Sequence, residues 1–122
     1  MKEKTLEFAG ECDYDYKYDI LFFKVKGRQY LKSIELGNLI IDLDSEKFLN
    51  GIQILEASKF LGLEREKLRE ILTWNFVGRI EDNKIELRLA FQVKSRNLII
   101  EKNPIIIQNI NENLPNSQIA CR

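Results

Sequence analysis

The chain has 122 residues, a length typical of one domain, and 44% of them are apolar, which is enough to build a core without a disulfide or a structural metal. Its nineteen basic and nineteen acidic side chains cancel, which argues against a nucleic-acid partner, because such binders usually carry a basic excess that neutralises phosphates. There is no histidine, which excludes a Ser-His-Asp triad, a Cys-His pair and imidazole metal ligands. The composition therefore favours a non-enzymatic protein without a cofactor.

The sequence also predicts a cytoplasmic protein with no membrane partner. No apolar run approaches the roughly 20 residues that span a bilayer, and charges stand where a signal peptide would have its apolar stretch. Cys12 and Cys121 have no CxxC spacing, so two incidental thiols are expected. The high content of Ile, Lys and Glu is typical of proteins from hot environments, although AT-rich coding produces the same bias.

Strand-like apolar runs joined by short turns dominate the first half of the chain. Residues 4–10 are a candidate first strand, followed by an acidic, aromatic turn at residues 11–17. Residues 18–26 carry apolar side chains on both faces, which predicts a strand covered on both sides. The meander continues through three further predicted strands, at residues 30–36, 39–44 and 48–55.

The second half begins with a helix and then returns to strands. Residues 57–72 have apolar side chains at helical spacing, with Ser58 as a candidate N-cap and Gly62 as an interruption. Alternating apolar residues then predict four strands, at residues 74–80, 84–94, 98–102 and 105–110. We therefore predict a single α+β domain over residues 1–110, with predominantly antiparallel β meanders in which seven or eight of these nine candidate segments are strands. One interrupted helix, at about residues 57–72, packs on the sheet, and residues 111–122 form a loosely ordered C-terminal tail.

A resemblance to a known family lies in the first half. Tyr14 and Asp15 are followed by Asp19, which opens an apolar strand, and residues 51–58 read GIQILEAS. This order resembles domain of unknown function family 2283, whose closing element usually has glutamate where this chain has Gln53. The resemblance covers about residues 14–62, implies a small β-rich fold and supplies no catalytic residue. It also implies that some relatives stand beside small toxin genes, so an antitoxin-like protein that covers a small toxin by strand addition is one alternative function.

Two acidic groups are candidate cation sites. Asp13, Asp15 and Asp19 alternate with tyrosines, and carboxylate oxygens suit Mg²⁺ or Ca²⁺. Their spacing lacks the glycine and terminal glutamate of a calcium-binding loop, so an Asx-type turn that starts a strand is the preferred interpretation and a divalent-metal site the alternative. Asp42 and Asp44 are interpreted as a solvated strand end.

The last predicted strand carries more apolar surface than one small sheet can easily hide. Long isoleucine-rich edge strands pair with another chain unless they are covered. We therefore expect a homodimer, or as the alternative a closed sandwich or barrel within one chain. The candidate interface residues are Ile105, Ile106, Ile107 and Ile110. The favoured function is a structural or protein-interaction domain that associates with itself.

Overall fold

The computed structural model describes residues 5–122, which fold into two β-sheets that share one core, with two short helices. In chain order the elements are β1 (Thr5–Phe8), β2 (Gly10–Asp15), β3 (Ile20–Val25), β4 (Tyr30–Leu36), β5 (Leu39–Asp44), β6 (Leu49–Ile54), α1 (Ala57–Leu61), α2 (Arg65–Leu68), β7 (Ile71–Glu81), β8 (Lys84–Ser95), β9 (Leu98–Lys102), β10 (Ile105–Asn109) and β11 (Ser117–Cys121). Residues 5–122 are thus mostly β, with eleven strands rather than the seven or eight predicted.

The N-terminal sheet is antiparallel, with strand order β2-β3-β6-β5-β4. Strand β3 directs Leu21, Phe23 and Val25 into the core. Its opposite face is not covered as predicted, because Phe22 is only half-buried and Lys24 is exposed. Strand β3 therefore has one face in the core and one face that is partly exposed to solvent.

The C-terminal sheet is mixed, with order β1-β11-β7-β8-β10, and β9 also pairs with β8. Among the strand pairs that the structure describes, only β1 and β11 run parallel. Strand β8 pairs with β7 along one side and with β10 and then β9 along the other. The alternation predicted for β8 is confirmed, since all five of its inward side chains are buried: Ile85, Leu87, Leu89, Phe91 and Val93.

The predicted first strand and acidic turn are wrong in their boundaries. The chain forms two strands, β1 and β2, which lie in different sheets and meet at a bend at Ala9 and Gly10. A Cβ atom on Gly10 would collide with Cys121 Sγ and would stand 2.7 Å from the Lys24 carbonyl oxygen. The bend therefore requires glycine, because the Gly10 backbone packs directly against the Cys121 side chain of the other sheet. Residues 1–3 of the predicted domain and the start of the predicted strand at residue 4 lie outside the described residues.

The predicted helix and tail also need correction. The interruption predicted at Gly62 is confirmed, because Gly62 adopts a positive φ of 66° between α1 and α2. The predicted C-terminal end is wrong, because α2 ends at Leu68 and residues 71–72 already belong to β7. The predicted tail contains β11, which lies between β1 and β7 and buries Ile119 and Cys121. Within residues 5–122, no helix is long and apolar enough to cross a membrane.

The two sheets bury their facing side chains in a single cluster. The rings of Phe23, from the N-terminal sheet, and Phe76, from the C-terminal sheet, meet edge to face with centroids 5.9 Å apart. Gly78 on β7 leaves room for Leu49 of β6, since a Cβ on Gly78 would overlap the Leu49 side chain. This close packing joins the N-terminal sheet to the long strands β7 and β8.

Candidate functional site

Three of the residues that carry the family resemblance, Tyr14, Asp19 and Ser58, meet in one hydrogen-bonded cluster around the Asp19 carboxylate. Asp19 is 3% exposed, and its backbone has a positive φ of 57°, which aspartate tolerates. The Tyr14 hydroxyl donates to Asp19 Oδ1 at 2.6 Å, the Ser58 backbone N–H donates to the same oxygen at 3.0 Å, and the Ser58 hydroxyl donates to Oδ2 at 2.6 Å. Arg65 Nε lies 3.8 Å from Oδ2. Asp19 therefore ties the β2–β3 turn to the start of α1.

The charge state of this cluster follows from its hydrogen bonds. Burial alone would raise the pKa of Asp19, but the hydrogen bonds from Ser58 and Tyr14, with Arg65 nearby, hold that pKa below its ordinary value. Burial and the hydrogen bond to the Asp19 carboxylate raise the pKa of Tyr14. The pair is thus an ionised carboxylate and a neutral phenol at neutral pH, an arrangement that stabilises structure.

The three candidate metal-binding aspartates have separate partners. The Asp13 carboxylate accepts a hydrogen bond from the Tyr14 backbone, and the Asp15 carboxylate accepts one from the Tyr18 backbone at 3.0 Å, as in an Asx turn. Asp19 is occupied by Tyr14 and Ser58. Among residues 5–122, no group of three or more cysteine, aspartate and glutamate side chains is arranged to hold a metal ion.

The sequence predicted that Asp44 lies at a solvated strand end, and this prediction is wrong. Asp44 is buried, and its Oδ1 accepts hydrogen bonds from the backbone N–H groups of Glu46 and Phe48, at 2.8 and 3.0 Å. Arg28 Nε donates to Asp44 Oδ2 at 2.8 Å. Asp44 therefore closes the β5–β6 turn and neutralises its buried charge with Arg28 from the β3–β4 connection.

A cleft of about 400 Å³ lies between β2 and the segment from α2 to β7. Its lining includes Cys12, Tyr16, Arg69 and Trp74, and the Arg69 guanidinium lies over the Tyr16 ring, 4.9 Å from the centroid. Burial, and secondarily the charge of Asp13, raises the pKa of the Cys12 thiol to about 12. This thiol is therefore protonated at neutral pH and is a poor nucleophile.

The strongest candidate for an interaction site is strand β10. Ile105 and Ile107 are 56% and 62% exposed, whereas Ile106 and Ile110 are buried in the core. Only the first two of the four candidate interface residues are thus accessible to a partner. Strand β9 continues the same edge and exposes Leu98 and Ile99.

The backbone of β10 has one paired side and one outer side. The Leu89 N–H donates to the Pro104 carbonyl at 3.0 Å, and the Ile110 N–H donates to the Asn83 carbonyl at 2.7 Å. Because hydrogen-bonding directions alternate along an antiparallel strand, residues 104, 106, 108 and 110 direct their backbone groups toward β8. The backbone groups of Ile105, Ile107 and Asn109 therefore point away from β8, at the edge of the sheet.

Sequence comparison places these observations in a family. The family model for "Protein of unknown function (DUF2283)" matches residues 12–58, which comprise nearly all of the N-terminal sheet and the start of α1. A protein of Methanosarcina mazei named "Putative hypoxanthine phosphoribosyltransferase" is 30% identical over 102 residues, 84% of this chain and 81% of the relative. An uncharacterised protein of Methanocaldococcus jannaschii is 30% identical over 97 residues, 79% of this chain and 84% of the relative. No solved structure matches the chain.

These relatives extend the similarity beyond residues 14–62, because each alignment covers more than three quarters of the chain. The Asp19 cluster provides a structural reason for the motif that carried the resemblance, since Tyr14 and Ser58 both donate hydrogen bonds to Asp19. The chain belongs to the DUF2283 family of unknown function.

Proposed function

We propose that this protein is a non-enzymatic interaction domain that forms a homodimer by pairing its β10 edge with that of a second copy. The observation that carries the proposal is the combination, on one edge strand, of an outward-facing backbone row and two exposed isoleucines, Ile105 and Ile107. Such an edge is a template for another strand unless the protein protects it. Burying the isoleucines against a partner would remove apolar surface from water.

The other sheet edges among the described strands carry protective features. Strand β4 has a bulge between Tyr30 and Lys32 and a charged Glu35. Strands β1 and β2 bend at Gly10 and are tied at that corner by backbone hydrogen bonds, including one from Gly10 to the Arg122 carbonyl at 3.0 Å. Bulges, charges and bends are the usual ways in which natural proteins block edge pairing.

Strand β10 has none of these protections. Residues 103–109 read NPIIIQN and contain no charged side chain. Pro104 directs its backbone toward β8, so its missing N–H removes no hydrogen-bond donor from the outer edge. Strand β9, by contrast, carries Glu101 and Lys102. The second copy of the chain is therefore expected to pair with β10.

The experiment compares two lysine substitutions by light scattering. Ile107→Lys replaces an exposed isoleucine of the proposed interface with a charged side chain and is expected to raise the dimer dissociation constant at least tenfold, because both copies lose the apolar contact and gain the edge lysine with which natural proteins block strand pairing. Leu72→Lys is the matched control. Leu72 is 48% exposed, but it lies at the N-terminal end of β7, far from the part of β8 that pairs with β10. The proposal fails if the wild type remains a monomer of 14.4 kDa at concentrations of roughly 100 µM, or if both variants dimerise equally.

Two other outcomes would replace the proposal. A monomer that forms a defined complex with a small protein, abolished by Ile107→Lys, would support the antitoxin-like alternative. Formation of a nucleotide from hypoxanthine and phosphoribosyl pyrophosphate would overturn the non-enzymatic assignment, and would extend to this chain the activity in the name of the Methanosarcina relative.

A further inference from the structure

We infer that the two β10 strands pair antiparallel about a two-fold axis that passes through Ile106, so that Ile105 of each copy stands directly opposite Ile107 of the other. This inference rests on the proposed homodimer and specifies its register. A two-fold axis is the symmetry expected for a homodimer, because it presents the same patch on both subunits. The result is one continuous sheet that crosses the subunit boundary.

The backbone limits the registers that are available. Only Ile105, Ile107, Asn109 and their odd-numbered neighbour Asn103 direct backbone groups outward, so inter-subunit hydrogen bonds must join odd-numbered residues. Among the registers that satisfy this condition, only those with the axis through residue 105, 106 or 107 place an outward isoleucine opposite another isoleucine. Each register places a different set of side chains opposite one another.

The side chains distinguish these three registers. An axis through Ile105 would place Ile107 opposite Asn103, and an axis through Ile107 would place Ile105 opposite Asn109. Only the axis through Ile106 places Ile105 and Ile107 of both copies opposite another isoleucine. This axis also places Asn103 opposite Asn109. Pairs of β-branched apolar residues directly opposite one another stabilise antiparallel strands, whereas an isoleucine opposite an asparagine lacks that apolar contact.

The charges beside β10 are compatible with this register. On the outer face of the sheet, Arg88 lies beside Ile105 and Glu86 lies beside Ile107. With the axis through Ile106, each cross-sheet row begins with Glu86 of one copy and ends with Arg88 of the other, about 14 Å away across three strand spacings. Charges at that separation are largely screened, so they do not disfavour this register. The isoleucine pairs therefore determine it.

Cysteine cross-linking tests this register. Residues opposite one another in a hydrogen-bonded antiparallel pair have Cα atoms about 5.5 Å apart, within disulfide range, whereas diagonal neighbours are about 7–8 Å apart. The two native thiols interfere little, because Cys121 is buried and Cys12 is half-buried. Ile105→Cys and Ile107→Cys substitute exposed side chains, so the fold is expected to be retained, and circular dichroism checks this.

The two variants are prepared separately, one with a size tag, then mixed under reducing conditions and oxidised. We expect the mixed disulfide between positions 105 and 107 to form at least tenfold faster than either variant's own disulfide, with no cross-link in the wild type. Faster self-linking of Ile107→Cys or of Ile105→Cys would overturn the register while leaving the β10 homodimer intact. A light-scattering dimer without any cross-link would overturn both the register and β10 as the interface. A monomer would overturn the proposed function itself.

Discussion

Replacing Asp19 should destabilise the fold far more than its small side chain suggests. Asp19→Ala removes the acceptor for the Tyr14 hydroxyl, the Ser58 N–H and the Ser58 hydroxyl at once. A hydrogen bond to a charged group contributes about 1.5–3 kcal/mol, and these three are not additive because they share one carboxylate. Alanine also tolerates the left-handed backbone poorly, at a cost of about 1 kcal/mol. We expect Asp19→Ala to lower the free energy of unfolding by about 3 kcal/mol or more.

Smaller substitutions divide this effect into its parts. Asp19→Asn keeps one acceptor oxygen and tolerates the same backbone conformation, so a loss of about 1–2 kcal/mol is expected. Tyr14→Phe removes a single hydrogen bond and should cost about 1.5 kcal/mol. Asp13→Ala is the control, because Asp13 is exposed and lies on β2, next to Tyr14. Its free energy of unfolding should stay within about 0.5 kcal/mol of the wild-type value. Urea titration followed by circular dichroism measures these differences as shifts in the unfolding midpoint.

The pH dependence provides an independent check on the same cluster. The folded-state pKa of Asp19 is depressed, so its ionised form stabilises the fold above the unfolded-state pKa of about 3.9, and this stabilisation is lost as pH falls through the lower folded-state pKa. The difference in unfolding free energy between the wild type and Asp19→Asn should therefore shrink below about pH 4. A difference that is constant with pH, together with an Asp19→Ala cost below about 0.5 kcal/mol, would refute the assigned role.

Two further substitutions test the packing. Ile106→Lys should unfold the protein, because Ile106 faces the core and a buried lysine without a partner costs several kcal/mol; a cooperative melt near the wild-type temperature would contradict that placement. Gly10→Ala should cost about 1–3 kcal/mol in urea titrations, because the added methyl meets Cys121 Sγ and the Lys24 carbonyl; an unchanged midpoint would show that the corner between the sheets is not tightly packed.

Strands with one core-facing row were predictable from the sequence. In β8, five apolar residues alternate with mostly polar ones, and the structure places that row in the core. The turn at Asp82 and Asn83 was predictable because both residues tolerate positive φ, and both adopt it, at 51° and 60°. These features depend on local periodicity and turn chemistry alone.

Features that depend on contacts between distant residues were not predictable. Strand β2 alternates acidic residues with Cys12 and Tyr14, and its acidic composition suggested a turn although the alternation is that of a sheet edge. Strand β11 is a short polar-looking segment whose parallel partner, β1, is more than a hundred residues away. The burial of Asp44 depends on Arg28, sixteen residues earlier.

The candidate interface was only partly predictable for the same reason. Three consecutive isoleucines on β10 gave no indication of which one faces the core, because periodicity cannot be read from an unbroken apolar run. Pairing with β8 directs Ile106 inward and Ile105 and Ile107 outward. That assignment required the register of two strands, which the sequence of either strand alone does not contain.

Sedimentation equilibrium of the wild type and of Ile107→Pro tests the central claim, that β10 pairs with a second chain through its outer backbone row. Proline at position 107 removes an outward N–H but none of the hydrogen bonds between β10 and β8, so the monomer fold should persist. We expect the wild-type mass to rise from 14.4 kDa toward twice that value over roughly micromolar concentrations, and the variant to remain at 14.4 kDa. A wild type that stays monomeric, or a proline variant that dimerises equally well, would contradict the account.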